Sequence, residues 1–164
     1  GYEVRTPVGS YRTRYVVLAL GRRGTPRKLG VTGEEQGKVM YRLLDASSYQ
    51  GSDILVVGGG DSAVEAAVGL SLRARNRVTL SYRREAFSRI KDRNKKAIDE
   101  AVSRSLVRLV WNSGVREILP EQVRLEIAGS EETVRNDYVF IFAGGELPFA
   151  FLKEIGVGFQ MQDA

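Results

Sequence analysis

The stretch DILVVGGGDSAVEAA, Asp53 to Ala67, constrains this chain more than any other. A short strand-type run enters three glycines and passes straight into a helical pattern. Ala63, Val64, Ala66, Ala67, Val68, Leu70 and Leu72 are apolar, which covers much of a helix circumference. The pattern predicts a helix from Asp61 to about Ala74 packed on both sides. RVTLSY, Arg77 to Tyr82, reads as the next strand. Together they make a strand–glycine turn–helix–strand unit. What sits on the glycines is a dinucleotide, another nucleoside, or nothing.

In such a turn each glycine position has a mechanical reason. The first makes the tight turn, the second lets a pyrophosphate approach the backbone, and the third lets helix and strand pack closely. Gly58, Gly60 and Ala63 occupy these places, alanine being an accepted third residue. The free N–H groups from Gly60 to Ala63 would face phosphates, with the helix dipole behind them. Ser62 adds a hydroxyl. Asp61 suits a helix N-terminus but repels a pyrophosphate unless it points away.

The end of the second strand discriminates among ligands. NAD-preferring sites, and many S-adenosylmethionine sites, carry an acid there for ribose hydroxyls. This chain has SYRRE, with Arg83 and Arg84 following Ser81 and Tyr82. Two guanidinium groups suit the 2′-phosphate of NADP, and Arg89 can join them from the start of the next helix. The plainer reading is that they are solvated surface charges. Glu85 turned onto a ribose would weaken the NADP preference.

Elsewhere, YEVRT (Tyr2 to Thr6) and RYVVLAL (Arg14 to Leu20) read as strands around a PVGS turn. Gly21 to Gly37 reads as an extended connector, and Lys38 to Gly51 as a short helix or loop. Ser88 offers an N-cap for a helix to about Ser105, with Ile90, Ala97, Ile98, Ala101 and Val102 as its inner stripe. The spacing of Val107 to Trp111, Val115 to Leu119 and Val123 to Ile127 suggests a small antiparallel meander after the first parallel strand, and Asp137 to Gly145 is a last buried strand. The expected fold class is α/β: a Rossmann-like parallel sheet with helices on one face and a small antiparallel β-meander on the other.

The 164 residues contain no cysteine and no histidine. Disulfides, thiolate or histidine metal sites, dithiol redox centres and serine–histidine catalysis are thereby excluded within this chain. No metal and no catalytic side chain is expected, so any redox chemistry is borrowed from a cofactor. The net charge is +5, with basic residues scattered rather than gathered in one tract. That favours a local anion site over a nucleic-acid face, while the arginine excess equally fits a GC-rich genome. The first residues have no signal-peptide h-region and the apolar runs are short, so a cytoplasmic protein without a membrane partner is expected.

GGGDSAVEAA followed by VTLSYRREAF resembles the nicotinamide-binding domain of thioredoxin reductase-like FAD-dependent pyridine nucleotide oxidoreductases. The family pattern is GGG-[DN]-[ST]-A-x-E, then a strand ending in HRR. Gly58 to Ala63 and Glu65 match the first part. Tyr82 stands for the histidine, and Arg83 and Arg84 match the arginines. A further family arginine would fall on Ser88, one place before Arg89. YRTRYVVLALGRRGTPRKLGVTGEE is similar to the crossover leaving the flavin domain, and VFIFAGGELPF to the closing strand, with Gly144 and Gly145 at the nicotinamide end.

The resemblance implies residues 1–50 as flavin-domain-derived strands and connector, and 51–164 as the NAD(P)-binding domain. It implies NADPH as cofactor, and FAD bound by the rest of a parent chain rather than by this one. Glu65 is implied at the nicotinamide carboxamide, beside an alternative packing role. The family's CxxC is missing from KVMYRLLDASSYQGSD, which points to the cysteine-free members, similar to ferredoxin–NADP reductases or bacillithiol disulfide reductases. The implied partners are the FAD domain and an unidentified electron acceptor, with homodimerisation left open. A nicotinamide-sensing module without electron transfer is the alternative.

Overall fold

The computed structural model describes residues 1–19, 25–73, 75–146 and 149–158. The chain divides into two compact units, Gly1–Thr25 with Leu147–Ala164, and Pro26–Glu146.

In the first unit, β1 (Tyr2–Thr6) and β2 (Gly9–Thr13) form an antiparallel hairpin in which Tyr2 faces Thr13 and Thr6 faces Gly9. The Thr6 hydroxyl donates to the Gly9 carbonyl at 3.0 Å and closes the turn. The second strand therefore precedes the expected Arg14–Leu20. A two-residue loop sets the register, so pairing starts at Gly9 whatever the apolarity downstream. Residues 14–19 are not strand, and Leu20 lies outside the described residues. This unit also contains the short helix at Phe149–Glu154.

The second unit starts on the last residue of the two-residue strand β3 (Thr25–Pro26). Its strands are β4 (Val39–Met40), β5 (Asp53–Val57), β6 (Arg77–Ser81), β7 (Val107–Val110), β8 (Ser113–Ile118), β9 (Gln122–Ile127), β10 (Ser130–Arg135), β11 (Tyr138–Ile141) and β12 (Gly145–Glu146), with α1 at Asp61–Ser71 and α2 at Asp92–Ser103. One sheet runs in the order β4-β11-β5-β6-β7 with every neighbour pair parallel. Alternation divides its side chains between two faces. Ile54, Val56, Val78, Leu80, Val107 and Phe140 pack with Ala63, Val64, Ala67 and Leu70 of α1 and Ile98 and Ala101 of α2. Leu55, Val139 and Ile141 pack with Val115, Ile118, Val123 and Leu125 of the antiparallel sheet β10-β9-β8. Helices thus cover one face and a meander the other, as the pattern predicts.

Three boundaries differ from the sequence expectation. Val107–Val110 belongs to the parallel sheet, and the third meander strand is instead β10, SEETVR. That strand is a polar edge with no buried residue, so it carries no hydrophobic alternation to read. Lys38–Gly51 resolves into β4 and a 3₁₀ turn at Ala46–Ser48, whose Ser47 N–H is accepted by Asp45 at 2.9 Å. Finally, α2 begins at Asp92, not at Ser88, which leaves Arg89 outside the helix.

Two polar knots fix the sheet's periphery. The Glu34 carboxylate accepts the N–H groups of Leu29 and Gly30 at 2.8 and 2.7 Å and the Tyr41 hydroxyl at 2.8 Å. Burial pushes the Glu34 carboxyl up, but these bonds outweigh it and hold the group below the usual range, while burial and Glu34 push Tyr41 up to about 12. At the start of β5, the Asp53 carboxylate receives Arg77 Nε and Nη2 at 2.5 and 2.6 Å and lies 3.3 Å from Arg135 Nε.

The Arg77 bonds hold the Asp53 carboxyl below its ordinary value against the opposing effect of burial. A depressed folded-state value means stability present above the unfolded pKa of about 3.9 and lost as pH falls through the folded value. Because Arg77 is largely exposed, solvent screens this contribution and keeps it small. Asp53→Asn is therefore expected to lower stability near neutral pH, and the gap from wild type should close as pH falls through and below the ordinary carboxylate range. Urea melts across that range check it; a gap independent of pH would contradict the ion pair.

Candidate functional site

The chain winds from β5 through α1 and β6 to α2 and β7 on one side, then returns by the meander to place β11 on the other side of β5. The strand order reverses there, and in open α/β sheets ligands bind outside the carboxyl ends of the strands at this point. The segments after β5, β6 and β11 all leave the same edge of the sheet. They carry Gly58–Ala63, Tyr82–Arg84 and Phe142–Gly144 respectively.

The three consecutive glycines answer to three different constraints. Gly58 has φ +145°, and a Cβ there would lie 2.6 Å from the Phe142 carbonyl oxygen and 3.1 Å from Ala63 Cβ. It is the close crossing of β5 and β11, and the fully buried Ala63 keeps the helix tight against it. A Cβ on Gly59 would sit 2.1 Å from the ring of Tyr82. At Gly60 a Cβ would meet nothing within 4 Å.

Gly60 is the N-cap of α1, with extended backbone and no side-chain cap. Its carbonyl accepts the N–H groups of Ala63 and Val64, both at 3.1 Å. The N–H groups of Asp61 and Ser62 have no partner among the described residues, and Ser62 is exposed. Unbonded donors, the positive end of a helix and open space over a glycine together fit an anion.

Asp61 points away from this cradle. Its Oδ1 accepts the Lys91 N–H at 2.9 Å and the Asn94 side-chain amide at 2.6 Å. The same amide donates to Glu65 at 2.9 Å, and Arg93 Nη2 donates to Glu65 at 3.1 Å. Both carboxyls are held below their ordinary range, Asp61 first by the Lys91 N–H and Glu65 first by Asn94. One turn apart on α1, they supply the acceptor that α2 lacks locally, since Lys91 at its N-cap makes no side-chain cap. Ser88 is thus not the cap, because the capping carboxylate comes from another helix. Glu65 meets α2's first turn through Arg93 and Asn94.

Arg83 and Arg84 leave β6 exposed, and neither forms an ion pair among the described residues. Arg83 borders a depression of about 280 Å³ along Asn112–Arg116. Arg84 Nη1 lies 3.4 Å from the Ser88 hydroxyl, and its carbonyl accepts the Asn112 N–H at 3.2 Å. Arg89 is exposed in the loop before α2. Gly144 has φ +94°, is open around its Cα, and its carbonyl accepts the Arg27 N–H at 2.9 Å.

An aromatic group missed from the sequence backs this edge. Tyr82 and Phe87 stack at 5.6 Å between centroids, and Trp111 meets Phe87 edge-on at 4.7 Å. Tyr82 and Trp111 each stand one residue past a parallel strand, and that shared position was the available signal.

A parallel sheet with a glycine turn at its switch point defines a Rossmann-type α/β domain. The family described as pyridine nucleotide-disulphide oxidoreductase matches residues 1–164. The chain belongs to that family. It is 31% identical over 159 residues to bacilliredoxin reductase Bdr of Bacillus subtilis, covering 95% of this chain and 48% of that protein. It is 32% identical over 154 residues to a ferredoxin–NADP reductase of Ignicoccus hospitalis, covering 90% and 48%. The bacillithiol disulfide reductase Bdr from Staphylococcus aureus superposes with a TM-score of 0.88 at 28% identity, over 98% of this chain and 50% of that one. The chain spans about half the length of the curated relatives it matches. Among the described residues no helix is long and apolar enough to cross a membrane.

Proposed function

We propose that this chain binds NADPH and presents its nicotinamide to a flavin held by the remainder of a longer oxidoreductase. The observation that carries the reading is the open cradle at Gly60, whose first-turn N–H groups have no partner among the described residues, on the same sheet edge as two exposed guanidinium groups, Arg83 and Arg84, that form no ion pair among those residues. Gly58, Gly60 and Ala63 shape the pyrophosphate turn, and Ser62 with the first-turn N–H groups holds its charge. Arg83 and Arg84, with Arg89 from the same loop, take the 2′-phosphate. Gly144 leaves room at the end of β11 for the nicotinamide, and Glu65 stands on the adjoining helix. When bound, the dinucleotide supplies a hydride to the flavin.

In this reading residues 51–164 are the nucleotide domain and 1–50 derive from the flavin domain. The absence of cysteine before β5 aligns the chain with family members that lack a dithiol in this position. Calorimetric titration with NADPH and NADH tests the reading. Wild type should prefer NADPH, and Arg83→Ala/Arg84→Ala should lose ~100-fold in NADPH affinity while NADH changes by less than ~3-fold. Binding of neither nucleotide by wild type would sink the reading.

A further inference from the structure

We infer that Asp61 is a specificity-positioning residue: its carboxylate on the Lys91 N–H and the Asn94 amide fixes the far end of the loop carrying Arg83, Arg84 and Arg89, so that discrimination for a 2′-phosphate depends on it. The inference rests on the NADPH reading above.

Residues 82–91 form neither helix nor strand, so the arginines are placed only by what ties the loop down. At its near end the Tyr82 N–H donates to the Val110 carbonyl at 2.9 Å, the Tyr82 carbonyl accepts the Ser113 N–H at 3.1 Å, and the Arg84 carbonyl accepts the Asn112 N–H at 3.2 Å. The Tyr82 ring covers Gly59, and Phe87 stacks on that ring. Ile90 packs against the helical core. Beyond Ile90 the loop must enter α2, whose own N-cap, Lys91, supplies no side-chain acceptor. Asp61 does so from α1. Asn94, which is 6% exposed, holds the second bond and makes the contact a fixed joint rather than a surface pairing.

Asp61 also begins the helix whose first-turn N–H groups form the anion cradle. One residue thus ties the pyrophosphate turn to the 2′-phosphate loop. A carboxylate beside an incoming pyrophosphate is unfavourable, and engaging it with α2 turns it away from that ligand. Truncating Asp61 therefore frees the arginine loop and at the same time removes a negative charge near the cradle. NADPH and NADH should respond unequally, whereas a merely structural contact would weaken both in proportion.

The test is calorimetric titration of NADPH and NADH against wild type, Asp61→Ala, Asp61→Asn and Asn94→Ala. The preference for NADPH should fall about tenfold in Asp61→Ala and stay within about threefold of wild type in Asp61→Asn, whose amide oxygen still accepts from Lys91. Asn94→Ala, which removes the second bond to Asp61 together with the bond to Glu65, should lower the preference in the same direction. An undiminished preference in both Asp61→Ala and Asn94→Ala, or a proportional loss of both nucleotides, overturns the inference. A wild type whose preference survives Arg83→Ala/Arg84→Ala overturns the arginine assignment itself, and that result is read independently of Asp61.

Discussion

Alanine at Gly33 is expected to cost ~3–5 kcal/mol of stability, a large part of what a domain of this size has. Gly33 has φ +84°, and a Cβ there would stand 1.8 Å from the Ile118 carbonyl oxygen and 2.8 Å from its carbon. The obstacle is backbone, which no rotamer change can relieve. It is also backbone held from both sides, because the Ile118 N–H donates to the Thr32 carbonyl at 2.9 Å and Gln36 Nε2 donates to the Ile118 carbonyl at 2.5 Å. Moving it would pull the connector off the meander and open the core around the buried Ile118. Gly30 is the control in the same segment. Its φ is +74°, but its Cβ would meet nothing within 4 Å, so alanine there carries only the left-handed penalty of ~1–2 kcal/mol. Urea unfolding of the two variants separates these effects. A Gly33→Ala variant no less stable than Gly30→Ala would mean the close approach is not real.

Valine at Gly60 should have the opposite profile, leaving the fold in place and abolishing nucleotide binding. Gly60 has φ −104° and ψ 177°, which any residue can adopt, and its Cβ position is open. Loss of a glycine N-cap costs about 1 kcal/mol or less. The same open space is where the proposed pyrophosphate would approach, so a branched side chain there should lower NADPH and NADH affinity alike by ~100-fold or more. Thermal melts and calorimetry on one preparation check both halves. Unchanged binding with an unchanged fold would place the ligand elsewhere. Gly58→Ala, two residues earlier, should instead fail by destabilisation, because its Cβ meets the Phe142 carbonyl at 2.6 Å.

Much of this architecture was legible before any coordinates. The apolar run of β5, the glycines and the helical pattern from Asp61 predict the strand–turn–helix unit, and alternation within the strands sorts the two faces of the sheet. Gly58 was readable because the tight turn demands it, and Gly60 and Ala63 because the spacing of a strand–glycine turn–helix unit places them. The start of α2 was not, since its capping carboxylate is not local in sequence but is Asp61, thirty positions before Lys91. β10 was missed because an exposed edge strand needs no hydrophobic pattern. The constraint on Gly59 comes from the Tyr82 ring over it, a contact across two strands that no local pattern encodes.

The sequence by itself determined what depends on near neighbours and on composition. These are the βαβ unit, the glycine positions, the pair of arginines, and the exclusion of thiol and imidazole chemistry from this chain. Tertiary structure alone decided which way Asp61 and Glu65 point, which aromatic rings back the arginine loop, and which glycine is left open. The physical reason is that a carboxylate takes the nearest unsatisfied donor. For Asp61 that donor is the first turn of α2, brought beside α1 only when both helices pack on one face of the sheet.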